Sequence, residues 1–312
     1  MSLAPIALFV YNRPTHTLKC LESLKRNPEA RVSCLYIFAD GPKADASPKD
    51  IKAIEATRAA IRMEKWCQEV VIHEAEKNKG LAHSIMDGVT KVVEQHGSII
   101  VFEDDNELSS GTLSFLNNAL ATYEGEPKVM HISSYMFPVK DILPDTFFYS
   151  PTTCMGGWAT WQRAWKLLER DPKKLLTTIE AKYDPSYFSL DGHYDFLDHL
   201  RANVDGRINS WAIRWQASVY IKGGLSLHPG HSLVRNVGFD ETGVHSNWHQ
   251  KPLFHHETLA EKIEIKPIPI EESKIARNAM KAHYDNHYNQ SFIKKIRRKL
   301  LSGYYRMKNL LS

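Results

Sequence analysis

Cysteine is scarce and unpaired in this 312-residue chain. Cys20, Cys34, Cys67 and Cys154 show neither the spacing of a disulfide framework nor that of a metal cluster, which fits a reducing compartment. No stretch approaches the roughly 20 consecutive apolar residues needed to span a bilayer. The start, MSLAPIALFVYNRP, has only a short apolar run with no basic residue ahead of it. It therefore reads as a buried strand rather than a signal peptide, and a cytoplasmic location is expected. Internal repeats and low-complexity linkers are also missing. What is present, 43% hydrophobic and 24% charged residues, is the balance of a globular protein able to bury a core.

Positive charge is missing where a nucleic-acid binder would need it. The formal net charge is +4, but residues 291–312 carry seven basic side chains and no acidic one, so the rest of the chain stands at −3. A slightly acidic body lacks the basic face that phosphate neutralisation requires, and no nucleic-acid partner is expected.

The first half alternates short apolar runs with helix-like stretches. Ile6 to Val10, Cys34 to Phe38, Val70 to Ile72 and Ile99 to Phe102 read as strands. Segments of helical length separate them, which predicts parallel crossovers and a doubly wound α/β sheet with helices on both faces. Ligands of such sheets sit beyond the C-terminal strand ends, where Arg13, Asp40 and Asp105 all fall. From about residue 127 the character changes. Val129 to Ser133 and Phe147 to Tyr149 read as further strands, followed by Gly156-Gly157-Trp158 and a segment dense in tryptophan. The expected organisation is a nucleotide-binding half over 1–126, a second half of the same domain over 127–275, and a tail over 276–312.

Glu103-Asp104-Asp105 at the end of a buried strand carries the strongest chemical signal. Adjacent carboxylates repel and lose hydration together, so a site that gathers them calls for a cation. A hard divalent ion, Mg²⁺ or Mn²⁺, takes one or two carboxylates plus the phosphates of a substrate. The plainer reading is a solvated acidic turn.

PIALFVYNRP, FADG at Asp40, NKGLAHSI at Asn78, VFEDD at Asp105 and GGWATWQRAW at Trp158 together resemble the bacterial glycosyltransferases of the GT-A fold, in or near family 2. They are similar also to the N-acetylglucosaminyltransferase I group. These pieces span roughly the first 165 residues, and the later SWAIRWQASVYIKGGLSLHPGHSLVRNVGFDETGVH resembles the C-terminal half of bacterial relatives only. The resemblance implies a Rossmann-like, doubly wound mixed sheet with an acceptor-side C-terminal region, and sugar transfer from a UDP-sugar donor to a glycan hydroxyl. Tyr11, Asn12 and Arg13 would hold the base and diphosphate, Asp40 the uracil or ribose, and Lys79-Gly80 would approach the nucleotide with charge and backbone. Asp105 would bind the metal, and Glu103 and Asp104 would contact the ribose or the metal's water shell. His245 would complete the metal site or touch the diphosphate. Trp158 fits an acceptor platform and Arg214 a phosphate clamp or a buried structural arginine. Arg13-Pro14 and Asp40-Gly41 equally suit a helix start and a turn.

An inverting transfer needs a carboxylate base. Where the N-acetylglucosaminyltransferase I group has Trp-Asp-Asp-Trp, this chain has Trp211-Ala212-Ile213-Arg214, with no acid. Asp240, Glu241 and Asp195 remain, with Asp240 preferred for its closeness to His245. Two rivals stand beside this reading: a sugar-nucleotide pyrophosphorylase and a nucleotide-sugar-binding scaffold without activity. In the tail, Phe292, Ile293, Ile296 and Leu300 recur at helical spacing among Lys294, Lys295, Arg297, Arg298 and Lys299. Such a basic amphipathic helix suits the anionic face of the cell membrane, where a lipid-linked glycan acceptor would be met, or else packs on the body.

Overall fold

A computed structural model describes residues 3–239, 254 and 256–287. Eight strands form one sheet in the order β3-β2-β1-β4-β8-β6-β9-β7. The first four are β1 (Ile6–Val10), β2 (Cys34–Ala39), β3 (Glu69–Glu74) and β4 (Ser98–Glu103), all parallel. Their crossovers are α1 (Pro14–Lys25), α2 (Pro48–Ala60) and α3 (Leu81–His96). Alternation along β1 decides which face each helix covers. Ile6, Leu8 and Val10 pack with Leu21 and Leu24 of α1, whereas Ala7 and Phe9 pack with Ile85 and Val89 of α3. The expected doubly wound half is thus present, with strands at the expected positions.

After β4 come a short β5 (Asn106–Leu108), α4 (Thr112–Thr122), β6 (Val129–Ser133), β7 (Thr146–Tyr149) and β8 (Trp158–Trp161). Strand β8 runs antiparallel between β4 and β6, and it pairs Ile100 with Ala159 on one side and Ile132 with Ala159 on the other. The sheet is therefore mixed and continuous across both halves of the chain. The helices α5 (Gln162–Trp165), α6 (Pro172–Lys182), α7 (Pro185–Phe188), α8 (Phe196–Val204) and α9 (Trp211–Ile221) follow. Then β9 (Leu225–Pro229) joins the sheet parallel to β6, and β10 (Val234–Asn236) pairs antiparallel with β5 as a separate ribbon.

The far half of the sheet has an apolar and a polar face, both buried. Ile132, Leu227 and Phe148 lie in register in the main core. On the opposite face His131, Ser226 and Tyr149 lie in register, with His228 next along β9. Trp215 donates its Nε1–H to His131 Nδ1 at 3.1 Å, while His131 Nε2 meets the Thr153 carbonyl at 3.2 Å, a pairing that suits a neutral ring. Burial pushes His131 down to about 3 and His228 down to about 4, from an ordinary 6.5. Both rings thus contribute stability above pH 6.5 that is lost as the pH falls toward those values, because only the unfolded chain takes up the protons easily.

The last described helix, α10 (Lys274–His287), buries Ala276, Ala279, Met280 and Tyr284. Its Arg277 lies 3.8 Å over the Tyr187 ring and donates to the Tyr187 carbonyl, Asp191 and Glu272. The segment from 276 to 287, assigned to the tail on sequence, is therefore docked on the body. The basic stretch 291–312 lies outside the described residues. Among the described residues no helix is long and apolar enough to cross a membrane.

Candidate functional site

The C-terminal ends of β1 and β4 are neighbours in the sheet, so the residues that follow them meet. Arg13, just before α1, places its Nη1 3.7 Å from Asp104 Oδ1 and 3.4 Å from Asp105 Oδ2. Its Nη2 donates to the Gly238 carbonyl at 3.3 Å, just past β10. Asp105 Oδ1 accepts from Asn106 Nδ2 at 3.0 Å and from Asn236 Nδ2 at 3.2 Å. Both amides also donate to the Met155 carbonyl, at 3.2 and 2.8 Å. The Val237 amide donates to the Asp105 carbonyl at 2.8 Å. Asp105 is thus held from both sides by the β5–β10 ribbon, with Oδ2 turned toward Arg13.

Three carboxylates, Asp104 buried and Glu103 and Asp105 half-buried, share too little positive charge. Burial, followed by Asp105 and Asp104, pushes Glu103 well above its usual range, with Arg13 pulling the other way. Asp104 is pushed up to about 7, by burial first and Asp105 next, against Arg13, the Tyr11 amide and a hydrogen bond. Burial also raises Asp105, opposed by Arg13, His16 and Asn236. A cation more compact and more highly charged than one guanidinium would relieve all three groups.

Among the described residues no three His, Cys, Asp or Glu side chains form a ready-made metal cage. The donor set nevertheless suits Mg²⁺ or Mn²⁺, which are held by one or two carboxylates and complete their shell with water and substrate phosphate. Asp104 Oδ1 and Asp105 Oδ2 already converge on a single positive atom, Arg13 Nη1.

Beyond β2, Asp40 has a different environment from the one expected. Its Oδ1 accepts from the Gly41 and Lys79 amides, each at 2.8 Å, and its Oδ2 from the Gly80 amide at 3.0 Å and Asn78 Nδ2 at 3.1 Å. Four donors fill the acceptor capacity of a carboxylate. Asp40 here ties the loop after β2 to the loop before α3, and the Lys79 and Gly80 amides are spent on it. Gly41 permits this approach, because a Cβ there would lie 2.6 Å from the Ala75 carbonyl oxygen. The Lys79 side chain is exposed, and Tyr11 and Asn12, just past β1, are partly exposed. Lys43 from the loop after β2 and Asp50 from the first turn of α2 act on the Tyr11 hydroxyl, whose proton is held chiefly by burial.

The two acceptor-side residues are not at an open surface. Trp158 is 1% exposed and packs between His131, Trp165 and Trp211, with centroids 5.5, 5.6 and 5.1 Å away. It has no free face for a sugar, so its acceptor role is corrected to a core one. The cause is strand β8, whose insertion between β4 and β6 carries Trp158 into the sheet interior. Arg214 is buried on α9 and donates to Asn203 Oδ1 and Asn209 Oδ1, both at 2.8 Å, which is the structural alternative. Asp195 is the exposed N-cap of α8, its side chain accepting from the Asp198 amide at 2.9 Å. Asp240, Glu241 and His245 lie outside the described residues.

Sequence reasoning missed Asn106, Asn236, Gly238 and Asn78. Asn106 directly follows the acidic triplet and Asn78 opens a quoted motif, so both were within reach of a reading that asked what holds the carboxylates. Asn236 and Gly238 lie in the later quoted stretch, but nothing local ties them to Asp105, to which β10 brings them by pairing with β5.

No protein-family model matches the chain, and no curated protein matches it. Among solved structures the chain is similar to a UDP-glucose pyrophosphorylase complexed with UDP-glucose, at 9% identity and a TM-score of 0.36, over 73% of this chain and 90% of that one. It is similar also to S. aureus TarS, at 12% identity and a TM-score of 0.29, over 59% of this chain and 31% of that one. A shorter TarS structure, residues 1–349, gives 10% and 0.34 over 74% of this chain and 59% of that one. The chain thus spans less than two thirds of either TarS chain. Likeness of this degree leaves function to the chain's own residues.

Proposed function

We propose that the protein is a glycosyltransferase that moves a sugar from a UDP-sugar to a hydroxyl of a glycan acceptor. The observation that carries this reading is the under-neutralised set Glu103, Asp104 and Asp105, beside Arg13 at the ends of β1 and β4. Asp104 and Asp105 would hold Mg²⁺ or Mn²⁺, which supplies charge neutralisation for the departing diphosphate. Arg13 offers a second, fixed positive charge to the same phosphates, and its tie to the Gly238 carbonyl sets its direction. Tyr11 and Asn12 border the place for the base. Asp40 contributes by fixing the loop before α3 rather than through a free carboxylate oxygen, and the Lys79 ammonium is left to reach the donor.

Transfer with inversion needs one carboxylate to take the acceptor's proton. Asp195 is engaged as a helix cap, so Asp240 or Glu241 is the better base, with His245 beside the metal or diphosphate. A lipid-linked glycan met at the inner face of the bacterial membrane, through the basic tail, would place the enzyme in surface polysaccharide assembly.

The test is a panel of UDP- and GDP-sugars read by thermal unfolding with Mn²⁺, Mg²⁺ or EDTA, followed by nucleotide release. A UDP-sugar is expected to raise the unfolding midpoint only with metal, because ligand binding stabilises the folded state by mass action. Asp105→Ala should remove that rise and lower turnover about 10²-fold or more. Equal stabilisation and turnover in EDTA would overturn the reading, and formation of UDP-sugar from UTP and sugar 1-phosphate would replace it with pyrophosphorolysis.

A further inference from the structure

The edge of the sheet that carries Asp104 and Asp105 continues past β8 to β6, β9 and β7, and there it opens into a second site. A cavity of about 710 Å³ lies at the C-terminal ends of β6 and β9 and the N-terminal end of β7, walled by 137–145, 230–231 and 256–263. That volume is in the range of pockets that enclose a small organic ligand.

Its charge is uneven. Among the described residues Asp141, Asp145 and Glu257 line it against one lysine, Lys262, with His231, His256 and Thr258 beside them. Carboxylates accept hydrogen bonds and do not donate them, so the occupant must be rich in donors. It must also bring no negative charge of its own, since like charges at close range repel. Between the carboxylates the wall is apolar: Val139, Leu143 and Ile263 line it, and Ile142 stands 96% exposed at the rim. A simple polyamine would satisfy the carboxylates and leave this surface wet. A carbohydrate satisfies both, with hydroxyls for the acids and the C–H faces of its rings for the apolar wall.

The pocket is mechanically joined to the carboxylate site. Arg235, in β10, donates to the His256 carbonyl at 2.8 Å and the Glu257 carbonyl at 2.9 Å, and it pairs with Glu107 Oε2 at 3.2 Å. The next residue, Asn236, holds Asp105. One two-stranded ribbon therefore sets both the pocket wall and the metal-facing acid.

We infer that this cavity receives the acceptor, and that the acceptor end bound there is a neutral or amine-bearing oligosaccharide rather than a uronate or other acidic glycan. The inference rests on the glycosyltransferase reading for the word acceptor, but the pocket's preference among sugars stands apart from it.

The test uses the full chain and three trimers of one length: N-acetylglucosamine, glucosamine and galacturonate. Saturation-transfer NMR and calorimetry report binding. The N-acetylglucosamine and glucosamine trimers are expected to bind at least tenfold more tightly than the galacturonate trimer. Replacing Asp145 and Glu257 by lysine should abolish the glucosamine advantage and admit the uronate. Asp145→Asn with Glu257→Gln, which keeps the shapes, should weaken glucosamine binding and narrow its lead over the uronate, and it serves if the lysine variant fails to fold. Binding of all three trimers alike, or of none, overturns the inference, as does an unchanged lead in a folded variant. The metal-dependent UDP-sugar stabilisation is measured on the same proteins and should be unaffected by these substitutions. Its loss in the wild type would sink the transferase reading, while the trimer ranking would still judge the pocket.

Discussion

A Cβ on residue 238 would stand 2.4 Å from Asp105 Oδ2, so Gly238 and this oxygen of Asp105 occupy a space that admits only one of them and a hydrogen. The same glycine's carbonyl receives Arg13. Gly238→Ala should therefore displace the acid or the arginine while leaving the core alone. Displacements of about 1 Å cost on the order of 10²-fold in rate. Turnover is expected to fall by about that factor, with the unfolding midpoint within a few degrees of wild type. Unchanged nucleotide release would show that Asp105 does not need this position.

On the proposed metal role, metal affinity should follow the proton on Asp104, which is held up to about 7. A metal competes with that proton, so Mn²⁺ binding is expected to be about tenfold weaker at pH 6 than at pH 8. Calorimetry with Mn²⁺ at the two values checks this. The stability of the metal-free protein should move the other way. A carboxyl whose pKa is raised on folding contributes stability that is present below its ordinary value of 3.8 and is lost as pH rises through about 7. Asp104→Asn should flatten both profiles.

Asp40→Asn replaces one acceptor oxygen by a donor facing amides that already donate. At least one of the four donors to this side chain then loses its partner, at about 1–3 kcal/mol for a buried group. The unfolding midpoint should fall by several degrees, and donor KM should rise because the loop before α3 is no longer held. An unchanged midpoint with raised KM would return Asp40 to direct contact with the nucleotide.

Trp158→Ala should be a folding lesion. Removing a buried indole costs about 3–5 kcal/mol. The variant is expected to melt far below wild type, and any activity lost should track the folded fraction. A variant that keeps its midpoint and loses only acceptor affinity would restore the platform role.

Much of the fold was legible because the first four strands are continuous apolar runs that end in turn residues, and β1 to β4 fall where those runs lie. Asp104, Asp105 and Arg13 were legible for the same reason, since a strand end in a parallel sheet has a known side. Trp158 was misread because an indole after two glycines looks the same in sequence whether the glycines open a loop or a strand. Gly157, at φ 81°, turns the chain into β8, and only the pairing of β8 shows which way the ring points. The hydrogen bonds of Asp40 were hidden because its partners Asn78, Lys79 and Gly80 lie nearly forty residues on. Asn236 and the 710 Å³ cavity depend on contacts between segments far apart in the chain, which local patterns do not encode.

The insertion of β8 between β4 and β6 also bears on how the chain is made. Strands β1 to β4 can assemble as soon as they leave the ribosome, but the flank of β4 then stays bare through the next fifty or so residues, until Trp158–Trp161 emerges. Strand β6, though translated earlier, has no neighbour to join before that moment, since it meets β4 only through β8. An open strand edge is a template for pairing with other chains. Nascent chains stalled between 104 and 157 should therefore be the most aggregation-prone and the most chaperone-bound. A fragment ending at 126 would carry Glu103, Asp104 and Asp105 on a sheet with an unprotected edge, and extending it to 165 would cover that edge without completing the protein.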